Sequence, residues 1–228
     1  MACSNEYEIA LIDNEIDARL CAKLISEEFT SHTPLTVYSQ RTADDYFNQR
    51  SWPLMIDLLD QKLSFLARHR PTNEIVAVIT GGDLYLHCKR HPYDTLSPAS
   101  HPVQDLYAEM LNHFVHDDFG KELEPNMVLK ILAGATRSDH AGKGLATQLR
   151  FHLCNYARDT RGFQYAFIQT GHSATRHIYV KKMNGKEMRI LYPANWLWNK
   201  KDDGLSRPFK DYKDEPVVNI LVNLNEQK

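Results

Sequence analysis

Residues 127–161 read MVLKILAGATRSDHAGKGLATQLRFHLCNYARDTR. Met127 to Ala135 is a nearly continuous apolar run, the pattern of a strand buried on both faces. Gly144 to Arg161 carries Leu145, Leu149, Leu153 and Tyr156 at helical spacing, and Gly162 is placed to end that helix. Between strand and helix lies a turn bearing Gly142, Lys143 and Gly144. A helix N-terminus presents unpaired amides and a partial positive charge. Glycine lets such a backbone approach an anion closely. The segment is therefore either an anion cradle or a tight strand-to-helix turn without a ligand. Its spacing fits neither the phosphate loop GxxxxGK[ST] nor the dinucleotide fingerprint GxGxxG.

Outward from this segment the chain alternates strand and helix signals. Towards the N-terminus, Glu6 to Asp13 reads as a strand. Ala18 to Phe29 reads as a helix with Leu20, Leu24, Ile25 and Phe29 on its apolar face. Pro34 breaks that helix. Thr42 can cap another helix from Ala43, which Pro53 kinks or interrupts. Leu63 to Arg70 and Glu74 to Thr80 form a hairpin about the turn at Pro71 to Asn73. His87 to Pro102 reads as a proline-rich surface loop, and Gln104 to Phe119 as an amphipathic helix. Towards the C-terminus, Tyr165 to Gln169 is a strand, His172 to Lys182 a short helix, and Glu187 to Tyr192 and Val217 to Leu224 are strands. The order predicts an α/β fold around one sheet, in a single domain spanning residues 1–228.

Composition narrows the function classes. The 228 residues carry 27 Lys and Arg against 29 Asp and Glu, a net charge of −2. That balance gives no electrostatic footprint for nucleic acid. The polar start, Met1 to Glu8, has no basic cap followed by an apolar run, so it does not read as a signal peptide. The longest apolar runs are far short of the roughly 20 residues that span a bilayer. Cys3, Cys21, Cys88 and Cys154 form no CxxC pair and read as free thiols in a reducing compartment. The expectation is a soluble, cytoplasmic protein with no membrane or nucleic-acid partner, monomeric or homodimeric. Histidine pairs at His87 and His91 and at His113 and His116 supply too few ligands for a metal site, and none is expected.

The central segment resembles motif A of the GNAT superfamily of acyl-CoA-dependent N-acetyltransferases, R/Q-x-x-G-x-G/A after a strand and opening a helix. Here it falls on Ala141-Gly142-Lys143-Gly144-Leu145-Ala146, inside a strand-loop-helix unit at 127–162. Five positions are compatible; Ala141 stands where the family has arginine or glutamine. The order of elements also matches from Glu6 to Leu224. A later helix in the family is written N-x-x-A-x-x-x-Y. Here His172-Ser-Ala-Thr-Arg-His-Ile-Tyr179 occupies that place, with His172 for the asparagine and Tyr179 on the tyrosine. A finer similarity is to the arylalkylamine branch. Its E-P-L motif corresponds to Thr33-Pro34-Leu35, so the glutamate that serves as base there is missing.

The resemblance implies a GNAT fold: a central, mostly antiparallel sheet flanked by helices. It implies acetyl-CoA as co-substrate and a small-molecule primary amine, arylalkylamine or polyamine-like, as acceptor. A protein N-acetyltransferase and a non-catalytic acyl-CoA-binding module are the rivals. The pyrophosphate would lie on the amides of Gly142, Lys143, Gly144, Leu145 and Ala146, beside Ala141. The pantetheine arm would run along Ala135, Thr136 and Arg137, with His172 near the cofactor. The Thr136 amide would meet the oxyanion. Tyr179 would protonate the departing thiolate or simply pack under the sheet. A primary ammonium has a pKa near ~10, so a base must take its proton. Glu28, His32 and His172 are candidates. Ser173 and Thr170 are either proton relays or helix caps. Lys143 and Arg137 either offset the lost motif arginine or are solvated charges. Tyr192, Trp196 and Trp198 either line an acceptor pocket or cover the sheet.

Overall fold

The computed structural model describes residues 6–201 and 204–226. Cys3 and the first residues of the polar start lie outside them. The strands are β1 (Tyr7–Leu11), β2 (Ser64–His69), β3 (Glu74–Asp83), β4 (Val128–Thr136), β5 (Tyr165–Thr170), β6 (Lys186–Leu191) and β7 (Val217–Asn223). They form one sheet in the order β1-β2-β3-β4-β5-β7-β6. Only β4 and β5 pair in parallel, as the helix between them requires; the other neighbours are antiparallel. The mostly antiparallel sheet flanked by helices is as the family resemblance implies.

Period-two alternation sends side chains to opposite faces. Ala77, Ile79, Leu129 and Ile131 pack against Leu145, Leu149 and Leu153 of α7 (Leu145–Arg161). Val78, Ala133 and Ala135 pack against α1 (Glu15–His32). The same face carries α4 (Trp52–Leu59) and α6 (Pro102–His113). The sheet is thus the middle of three layers.

Several local expectations are met. Gly162 caps α7 in the left-handed region, at φ 76°. Thr42 accepts a bond from the Asp45 amide at the start of α3 (Ala43–Tyr46). α1 ends before Pro34, which opens α2 (Pro34–Tyr38). The helix from Ala43 is interrupted ahead of Pro53, as expected: a π turn at Phe47–Ser51 joins α3 to α4, and Pro53 lies in the first turn of α4. Two expectations change. The buried face of α1 is Ala18, Cys21, Ala22, Leu24 and Ile25; Leu20 is exposed, because the packed stripe is rotated by one position towards small residues. The start of the expected loop is α5 (Leu84–Arg90), capped by the Asp83 carboxylate on the Tyr85 amide.

No helix among the described residues is long and apolar enough to cross a membrane. Cys21, Cys88 and Cys154 are free thiols.

Candidate active site

β4 and β5 pair only from Val128 to Ile131. Beyond Ile131 they part. Just there β4 carries an extra residue against β3, since Thr80 opposes Ala133 and Gly81 opposes Ile131. Thr80 pins this bulge: its hydroxyl donates to the Ala133 carbonyl and accepts from the Ala133 amide. Further along, the Arg137 amide donates to Val76 of β3. Alternation then turns the amides of Gly134 and Thr136 to the side that β5 has left.

The gap opens into a cavity of about 950 Å³ that crosses the sheet. From one face it is lined by Glu28, Phe29 and His32 of α1 and Tyr107 of α6. From the other it is lined by Arg150 of α7 and by Tyr179, on a π turn (Ile178–Lys182) that follows α8 (Ser173–His177). π turns inserted in helices are frequent at functional sites.

At one end is the start of α7. Gly142 and Gly144 sit at φ 76° and 80°, a region that disfavours any side chain. Gly144 offers no side-chain cap, so the first amides of α7 are left without intrahelical partners. Ala135, Thr136, Ala141, Gly142, Gly144, Leu145 and Ala146 all line the cavity. His172 lines it too, and its Nδ1 accepts from the Ala174 amide as the cap of α8.

Three expected residues do not reach the cavity wall. Arg137 is held by Asp139 and Glu74. Lys143 turns to Glu6 on the β1 side. Ser173 follows the cap position, and His172 does the capping. Trp196 and Trp198 also lie elsewhere: Trp196 is buried with Leu35, Leu106 and Phe209, and the two indoles donate to Glu109 and Asp105. They cover the sheet rather than line the cavity. Tyr192 lines a separate surface depression with Trp196.

The two base candidates on α1 come together. Ser138, just past β4, donates from its amide to Glu28 Oε1 at 3.2 Å and from its hydroxyl to Oε2 at 3.0 Å. His32 Nε2 lies 3.0 Å from the same hydroxyl and 3.6 Å from Glu28 Oε2. Ser138 thus fixes a carboxylate and an imidazole, one helical turn apart, at the α1 mouth.

On the opposite face Tyr179 is fully buried and its hydroxyl has no hydrogen-bond partner. Burial pushes its pKa up, while the Arg150 charge works against that rise. The Arg150 carbon Cζ lies 5.5 Å from the Tyr179 ring centre. The sequence reading missed Ser138 and Arg150. Arg150 carries a signal, being a cation among apolar residues at 146, 153, 154 and 157. Ser138 carries none. No cluster of metal-ligating side chains occurs among the described residues.

No family model and no curated protein sequence matches the chain. Solved structures do. The C-terminal condensation domain of Ebony, in complex with beta-alanyl-dopamine, matches over 96% of this chain and 99% of its own, with TM-score 0.74 at 16% identity. Arylalkylamine N-acetyltransferase 2 from Aedes aegypti matches over 97% and 100%, with TM-score 0.67 at 14% identity. A Salmonella typhimurium protein, solved with its cofactor acetyl-CoA, matches over 98% and 97%, with TM-score 0.55 at 10% identity. The parted parallel strands, the glycine-opened helix and these whole-length matches agree: the chain has the fold of the GNAT N-acetyltransferases.

Proposed function

We propose that the chain is an acetyl-CoA-dependent N-acetyltransferase acting on a primary amine of a small molecule, arylalkylamine or polyamine-like, by direct attack in a ternary complex. The observation that carries this reading is the cavity that crosses the sheet. A donor and an acceptor can enter from opposite faces and meet without a covalent enzyme intermediate. Two of the solved structures similar to this chain support it, one by its bound acetyl-CoA and one by its name as an arylalkylamine N-acetyltransferase.

The residues fit the co-substrate. The free amides at the start of α7 and the side-chain-free Gly142 and Gly144 suit a pyrophosphate. Neither Lys143 nor Arg137 is available to replace the motif arginine, so recognition rests on the backbone. The unpaired edge of β4, with the Gly134 and Thr136 amides, suits an amide-bearing arm. Acetyl-CoA supplies an acyl group activated as a thioester.

The chain's own groups do the rest. Glu28, oriented by Ser138 and next to His32, takes the ammonium proton at the α1 mouth. The freed amine forms its C–N bond to the carbonyl carbon, whose oxygen is met by backbone N–H groups of β4. The C–S bond breaks, and Tyr179 gives the sulfur its proton. Free thiols at Cys21, Cys88 and Cys154 fit action in the cytosol.

Calorimetry with CoA is expected to give micromolar affinity, and its absence would overturn the reading. Thiol release should follow on an amine panel and not on a peptide panel. Glu28→Gln should lower kcat at least about tenfold at neutral pH, with the loss shrinking as the pH rises towards the amine's own pKa.

A further inference from the structure

Arg150 is 5% exposed. Its Nη1 donates to the Ala146 carbonyl, and its Nη2 reaches the Thr175 hydroxyl only at 3.4 Å. Its Nε has no partner. Among the described residues no carboxylate lies within ion-pair distance of it, whereas Lys200, whose side chain is 8% exposed, meets Asp105 at 2.7 Å. A buried guanidinium without a counter-charge is costly. An anion bound in the cavity beside it would meet that charge.

Its position says which anion. The guanidinium lies against β4 at Gly134, where an added Cβ would stand 3.2 Å from Nη2. It also lies beside the Tyr179 ring, whose hydroxyl is likewise unpaired. Both residues belong to the cavity wall on the α7 face. Glu28 and His32 line it on the α1 face, where the amine's positive charge is removed. The negative charge that develops on the α7 face is that of the departing sulfur.

We propose that Arg150 receives the thiolate of CoA as it leaves, holding the charge while Tyr179 supplies the proton. The inference rests on the acetyl-CoA reading above. Arg150 stabilises charge and transfers nothing. The C–S bond pair goes to sulfur, and the proton that neutralises it comes from Tyr179. The other ionisable groups near it are Cys154 on its own helix and His172, His177 and Lys182 on the cavity wall. All four are retained in the variants below.

The test uses the full chain and CoA itself. Ultraviolet titration of the enzyme-bound thiol is expected to show ionisation about one pH unit or more below free CoA. In Arg150→Met it should return to the free value or above, and in Arg150→Lys it should fall between. The Met variant should lose at least about tenfold in kcat while KM for the amine holds. Desulfo-CoA should bind wild type and Arg150→Met alike. Failure of desulfo-CoA to bind wild type would sink the acetyl-CoA reading. Equal binding with an unmoved thiol pKa in Arg150→Met would sink the role of Arg150 alone.

Discussion

A phenylalanine at position 179 would suit the core better than the tyrosine that is there. The ring is fully buried and its hydroxyl unpaired, and an unsatisfied buried hydroxyl costs about 1–3 kcal/mol. We therefore expect Tyr179→Phe to melt no lower than the parent while kcat falls at least about tenfold. Thermal melting and thiol release read the two separately. Lower stability with full turnover would mean that the tyrosine serves packing. This residue was legible in the sequence through the motif around it. Arg150 was legible in principle, as a charge on an apolar stripe. The Glu28–Ser138 contact was not, because 110 positions separate its members and nothing local in either segment anticipates the other.

At the scale of elements, the bulge in β4 falls where β4 and β5 part. Thr80 satisfies both polar groups of Ala133 from within the sheet. Thr80→Val keeps the shape and removes both bonds. It is expected to cost about 1–3 kcal/mol in denaturant unfolding and to weaken CoA binding as the strand relaxes. Unchanged binding would show that the strands part without this pin. The strands and long helices follow the sequence closely because their periodicities are strong. Short or irregular pieces did not show. α5 has a single buried residue, Leu84, so its face carries no periodic signal. The π turns at 47–51, 114–118 and 178–182 insert one residue into a helical period that otherwise reads as continuous.

For the whole molecule, one carboxylate joins two of the segments that lie beyond the core sheet. Asp105 of α6 accepts from the Ala99 amide, from the Trp198 indole and from Lys200. It ties the segment after α5 and the segment after β6 to one helix. Burial opposes its charge, but the Lys200, Ala99 and Trp198 hydrogen bonds hold its carboxyl below the usual carboxylate range. A depressed carboxylate stabilises the fold above its unfolded pKa and loses that contribution as pH falls. Asp105→Ala strands Lys200 in the interior and is expected to cost about 3 kcal/mol or more at neutral pH. Part of the parent's acid sensitivity should vanish with it. A loss that is the same at low and neutral pH would contradict this.

The sheet order has a consequence for how the chain can be made. β7, the last of the described strands in sequence, is threaded between β5 and β6. While the polypeptide emerges from the ribosome, β6 has no strand partner, and one edge of β5 stays unpaired, until β7 has emerged. β6 can therefore join the sheet only after β7 has been made, whereas β1 to β5 can assemble in the order in which they are made.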